Sequence, residues 1–156
     1  MTEAIVEGVA APTFNAPTEG GGTLSLADLK GSKVVLFFYP KDDTSGCTKE
    51  AIAFSEALGA FETAGTKVVG VSIDSPASHD KFIAKHDLKI PLVSDEDKSI
   101  VEAYGVWVEK SMYGRKFMGT ERATFLIDGD GTVRQVWRKV KVPGHVDAVL
   151  KAAQAL

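Results

Sequence analysis

VVLFFYPKDDTSGCTKEAIAF, residues 34–54, decides how the rest of the chain is read. Its first six residues, 34–39, form an unbroken apolar run rich in β-branched and aromatic side chains. That is the pattern of a central strand buried on both faces. Pro40 ends it, because proline supplies no ladder donor. A helix is expected over residues 45–64, with Gly65 as its terminator. Ala51, Phe54, Leu58 and Phe61 recur at steps of three and four and make its apolar stripe. Cys47, the only cysteine, lies on that stripe one turn before Ala51. Its thiol therefore faces the protein body from the first helical turn.

The pattern continues downstream. Residues 67–73 read as a second buried strand, and Ser75 or Asp74 is placed to cap a helix that opens on Pro76. That helix carries Phe82 and Ile83 and ends near His86. A third strand is expected around Pro91, Leu92 and Val93, then a short helix over residues 95–104 stopped by Gly105. Residues 123–127 and 132–137 flank Asp128-Gly129-Asp130-Gly131 and read as a hairpin. A last helix is expected over residues 144–155. Alternating strands and helices with a late hairpin predict an α/β fold, a central mixed β-sheet flanked by helices. Residues 1–156 are read as one domain, and the Gly20-Gly21-Gly22 stretch as a turn.

Composition narrows the function. The chain has 156 residues, 25% charged, with a net charge of −3, which offers no basic surface for nucleic acid. No apolar run approaches the roughly 20 residues of a membrane span. The start carries early acids and does not read as a secretory signal, so the expected location is cytoplasmic. One cysteine cannot close an intrachain disulfide. His79 and His86 are spaced for one helical face, but no further ligand pattern accompanies them. The expectation is no metal and two surface histidines. Neither of these nor His145 has local support as the base of a cysteine hydrolase. Gly20-Gly21-Gly22 lacks a phosphate-loop pattern, and the Asp128–Gly131 stretch lacks the glutamate of a calcium loop. Trp107 and Trp137 are expected to pack at the core or its rim, and Tyr113, Phe117 and Met118 to line a pocket or fill a loop.

The chemistry then turns on Cys47. Only a thiolate is a strong nucleophile, and a free cysteine ionises near pH 8.5. At the first turn of a helix, unsatisfied N–H groups and the helix dipole favour a negative sulfur. Gly46 leaves room beside it, and Thr44 adds a hydroxyl. A lone cysteine on an apolar stripe also makes an inert small hydrophobe. Taken by themselves, the residues leave both readings open.

Tyr39-Pro40-Lys41-Asp42-Asp43-Thr44-Ser45-Gly46-Cys47-Thr48-Lys49-Glu50 closely resembles the active-site loop of peroxiredoxins, in the wording of the peroxiredoxin Q or bacterioferritin comigratory branch. Residues 37–39, 69–72, 91–95, 121–128 and 137–138 match that family in order, from about Gly8 to the last helix. The resemblance implies a thioredoxin-like fold and a thiol peroxidase that needs no cofactor. It makes Cys47 the peroxidatic nucleophile. Thr44 becomes the hydroxyl that bonds sulfur and peroxide, and Arg122 the cation that stabilises the thiolate and orients the substrate. Pro40 would shield the pocket, Gly46 would leave access, and Glu50 would position Arg122.

Two positions depart from the family. Many members carry a resolving cysteine five residues after the first, where this chain has Ile52; others carry it near Ile83 or Ala84. Proline is usual at Ser45, which is expected to cap the helix instead. The implied mechanism is therefore the one-cysteine form, resolved by an external thiol such as thioredoxin, glutaredoxin or glutathione, in a monomer. The rival reading is a peroxide-responsive sensor with little turnover.

Overall fold

The computed structural model describes residues 5–156. Along the chain run β1 (Asn15–Pro17), β2 (Thr23–Ser25), β3 (Lys33–Phe38), α1 (Ser45–Glu56), α2 (Leu58–Thr63), β4 (Thr66–Ser72) and α3 (Pro76–His86). Then follow β5 (Leu92–Ser94), α4 (Ser99–Ala103), β6 (Trp107–Met112), β7 (Arg115–Thr120), β8 (Ala123–Ile127), β9 (Val133–Trp137) and α5 (His145–Ala155). The central sheet has the order β5-β4-β3-β8-β9. β3 is parallel to β4 and antiparallel to β8, β4 is parallel to β5, and β8 is antiparallel to β9. The expected mixed sheet is thus present, with the quoted strand at its centre.

Both faces of β3 are buried, and strict alternation sorts its side chains. Val34, Leu36 and Phe38 join Phe125, Val101 and Tyr104 on one face. Val35, Phe37 and Tyr39 join Ala51, Phe54, Phe61, Phe82 and Val149 on the other. Each such large side chain contributes about 1.5–3 kcal/mol of burial. Phe37 stacks on Phe54 of α1 with ring centroids 4.5 Å apart. Gly70 is what admits that ring. It lies opposite Phe37 in the β3–β4 register, and a Cβ there would stand 2.8 Å from Phe37 Cζ. The stack seats α1 on the sheet and so fixes where Cys47 points.

Three local expectations are corrected. The helix over residues 45–64 is two helices, broken at Ala57, whose φ of −86° and ψ of 0° turn the chain. The break brings Phe61 against Phe54 and lays α2 beside β4. Phe117 and Met118 are not filler of an irregular loop but residues of β7, and Tyr113 lies in the tight turn before it. They sit in the β6–β7 hairpin, where Tyr113 and Gly114 both take positive φ and Tyr113 is 97% exposed. His79 is no surface residue, for it is fully buried. By contrast, Ser75 caps α3 by accepting from the Ser78 N–H, with Pro76 at the first position, as its sequence predicts. Among the described residues no helix is long and apolar enough to cross a membrane.

Candidate active site

The site forms where β3 ends and α1 begins. Pro40 is half-buried, and the chain then runs through Asp42 and Asp43 to Thr44, the extended residue that precedes the helix. Ser45 and Gly46 open α1, and the Thr48 N–H donates to the Thr44 carbonyl at 2.8 Å to close its first turn. Cys47 is therefore third in the helix, among N–H groups that have no intrahelical acceptor. Its side chain is 1% exposed and packs with Ala51 and Phe54.

Arg122, just ahead of β8, supplies the cation. Its Nη2 donates to Cys47 Sγ at 3.2 Å, and its Nη1 to Glu50 Oε1 at 2.7 Å. Glu50 follows Cys47 by three residues, so both side chains leave the same face of α1. One planar guanidinium thus spans sulfur and carboxylate, a fork that lysine cannot reproduce. The second Glu50 oxygen, Oε2, is buried without a hydrogen-bond partner and lies 4.0 Å from His145 Nε2. His145 opens α5, and its Nε2 shares a hydrogen bond with Thr124 Oγ1 of β8 at 2.8 Å.

Burial sets the protonation here. It raises the Glu50 carboxyl to about 7, with Arg122 acting against that rise. His145 is held down to about 4, first by burial and then by the Arg122 charge. For Arg122 itself burial opposes the charge, but Glu50 and Cys47 outweigh it and the pKa rises. Lys110 of β6 is the second cation that senses this site. Burial and the like charge of Arg122 lower its pKa.

The sequence-derived candidates meet unevenly. Cys47, Glu50 and Arg122 come together, and Gly46 adjoins them, since a Cβ on Gly46 would sit 3.2 Å from Arg122 Nη2. The Thr44 hydroxyl does not donate to the sulfur in this structure. At the head of the helix it donates to the Lys41 carbonyl at 2.9 Å and is exposed. Ser45 is not the cap either, because the cap position falls on Thr44, which makes no side-chain cap bond. Sequence reasoning missed Lys110, Thr124 and the place of His145, whose partners come from distant segments.

These features match known proteins over most of the chain. The AhpC/TSA family pattern matches residues 8–136. The chain belongs to the AhpC/TSA family. Peroxiredoxin Bcp of Xanthomonas campestris is 48% identical over 157 residues, covering 99% of this chain and 98% of that one. Peroxiredoxin Bcp of Bacillus subtilis is 43% identical over 144 residues, covering 92% of each. Among solved structures, the X. campestris bacterioferritin comigratory protein superposes with a TM-score of 0.90 at 46% identity, over 98% of both chains. A cysteine-to-serine mutant of Xylella fastidiosa PrxQ gives 0.93 at 38% identity, again over 98% of both. The expected peroxiredoxin Q or Bcp branch and its thioredoxin-like fold are borne out. In this peroxiredoxin Cys47 is the single cysteine. Ile52 and Ile83 are half-buried hydrophobics on the same core as Cys47, and Ala84 is exposed.

Proposed function

We propose that this peroxiredoxin reduces hydrogen peroxide and organic hydroperoxides through a sulfenic acid on Cys47, resolved by an external thiol. The observation that carries the reading is the guanidinium of Arg122 on the sulfur, 3.2 Å away, at the first turn of a helix. Guanidinium and helix N-terminus both favour the thiolate. The related X. campestris protein has been studied for alkyl peroxide reduction activity, which suits the same substrate class here.

In the first step the Cys47 thiolate attacks one peroxide oxygen. An S–O bond forms as the O–O bond breaks, and the departing oxygen takes up a proton and leaves as water or an alcohol. Arg122 stabilises charge on sulfur and on the departing oxygen, where preorganised donors act most strongly. Glu50 fixes the guanidinium plane, Gly46 leaves the approach open and Pro40 closes its side. Thr44 acts on the peroxide only after its hydroxyl turns from Lys41. In the second step an external thiol condenses with the Cys47 sulfenic acid, releasing water and leaving a mixed disulfide. A second thiol then frees Cys47. Thioredoxin, glutaredoxin and glutathione all fit that role, and we assign the protein to the cytoplasm as a monomer.

Steady-state peroxide consumption with each of these reductants, followed by mass spectrometry of Cys47, tests the proposal. Cys47→Ser is expected to abolish consumption. Undiminished peroxide decay in that variant would sink the assignment. Stoichiometric oxidation of the wild type without turnover under any thiol would instead indicate a sensor.

A further inference from the structure

His79 of α3 is fully buried, and both ring nitrogens have partners. Nε2 lies 3.0 Å from the Val93 carbonyl oxygen and Nδ1 2.6 Å from Asp42 Oδ2. A carbonyl only accepts, so Nε2 carries a proton. Asp42 already accepts from the Tyr39 hydroxyl at Oδ1, 2.6 Å, and from the Ser78 hydroxyl at Oδ2, 2.8 Å. Donors converging on one carboxylate favour its anion, which leaves the shared proton on Nδ1. His79 is thus an imidazolium in a buried ion pair. The charged groups facing it agree. Burial opposes its charge, but Asp42, the Val93 carbonyl and Asp74 outweigh this and raise its pKa. Glu19, in the turn after β1, also senses that charge. The Tyr39 phenol, driven far up by burial and Asp42, stays neutral.

Asp42 is not an incidental partner. It lies in the loop between Pro40 and Thr44, at the head of the helix that carries Cys47. Its backbone N–H donates to Asp74 Oδ2 at 2.8 Å, an oxygen that the Ser72 hydroxyl also reaches at 2.7 Å. Asp43, at a φ of 60°, adds exposed contacts to Lys85 and His86, again on α3. Exposed pairs of that kind contribute little. A buried pair is different, because removing one partner strands the other charge away from water.

We propose that His79 is a positioning residue for Cys47. Its imidazolium holds Asp42, and with it the loop 40–44, in place while Cys47 is oxidised. The first turn of α1, which carries the sulfur, is thereby kept intact for its meeting with peroxide. Such a clamp suits a chain with Ile52, Ile83 and Ala84 at the places where a resolving cysteine would require that turn to open. The inference rests on the peroxidase reading of Cys47 given above.

Hydrogen exchange of the 43–48 amides and single-turnover oxidation of Cys47, both followed against pH, test it in the full chain. His79→Phe, which keeps a ring and loses both bonds, is expected to speed exchange over 43–48 about tenfold or more while α5 is unchanged. Oxidation of Cys47 is expected to fall about tenfold, the cost of a misplaced nucleophile. His79→Gln, which still donates to Asp42, should recover part of both. In the wild type, oxidation should lose rate on an alkaline limb where His79 gives up its proton, a limb absent in His79→Gln. Wild-type exchange and oxidation in His79→Phe would overturn the proposal. Should that variant fail to fold, Asp42→Asn, which preserves the shape and removes the charge, decides by the same two readouts. Exchange is read without peroxide, so a wild-type protein that consumes none refutes the peroxidase reading and leaves the clamp test intact.

Discussion

Arg122 donates through Nη2 to Cys47 Sγ across 3.2 Å, joining two residues 75 positions apart. The other arm of the same guanidinium is anchored on Glu50, so its plane is fixed before any substrate arrives. Arg122→Lys keeps a positive charge and loses that fork. The rate constant for Cys47 oxidation is expected to drop about 10²–10³-fold, the usual effect of removing a preorganised donor. Stopped-flow mixing with hydrogen peroxide measures it, and a rate within threefold of wild type would refute the role.

Gly46 makes a sharper test, because the residue itself supplies no chemistry. A methyl group at this position would sit 3.2 Å from Arg122 Nη2, closer than most carbon contacts allow. Gly46 is in the α1 helix and takes helical backbone without strain. Gly46→Ala should therefore leave stability within about 1 kcal/mol of wild type, the better helix propensity of alanine offsetting the contact. Cys47 oxidation should nonetheless slow, since the guanidinium must shift away from the sulfur. Unfolding by urea and peroxide kinetics on one preparation separate the two effects. Equal rates for both proteins would show that Arg122 yields without consequence.

Glu50 gives the protein a pH signature. Its folded-state carboxyl is raised from an ordinary carboxylate value to about 7 by burial, with Arg122 opposing. The folded state thus holds this proton more tightly than the unfolded chain. Its stabilising contribution is full below about pH 4.5 and is lost as pH rises through about 7, an effect of about 3 kcal/mol. His79, also raised, works in the same direction, so the comparison must be made against Glu50→Gln. Denaturant unfolding at pH 5 and pH 8 should show the wild type losing more stability than the variant. Identical losses would mean that Glu50 is ionised throughout.

How far such a site is readable from the chain alone depends on the range of its interactions. β3, β4 and the β8–β9 hairpin are legible because continuous apolar runs and a Gly-Asp turn are local signals. The cap and proline of α3 are equally local. The break at Ala57 is not, since the nearby Gly59 keeps helical backbone inside α2 and the packing of Phe61 on Phe54 is what accompanies the turn. The β6–β7 hairpin carries too little buried surface to alternate visibly. His79 misleads for a related reason. It shares a polar helix face with His86, while the carboxylate that buries it comes from Asp42, 37 residues upstream. Cys47 is visible in the sequence, but Arg122 and Glu50 acquire roles only through family resemblance, because nothing local links residue 122 to residue 47.

Ile52 carries the last prediction. It is half-buried and packs on the same core as Cys47. In α-helical geometry residues five apart are rotated by about 140° and separated by roughly 7.5 Å along the axis. A disulfide needs Cα atoms about 4.4–6.8 Å apart. Ile52→Cys should therefore form an intramolecular disulfide with Cys47 after peroxide treatment only if α1 unwinds between them. Non-reducing mass spectrometry detects the bond, and hydrogen exchange over 45–52 reports the helix. Bond formation is expected to bring a rise in exchange confined to that segment, and to proceed more slowly than oxidation of Cys47 itself. Adding His79→Phe, which frees the Asp42 loop, should speed the bond without altering its geometry. A disulfide that forms rapidly while α1 keeps its protection would show that the two sulfurs meet without unwinding.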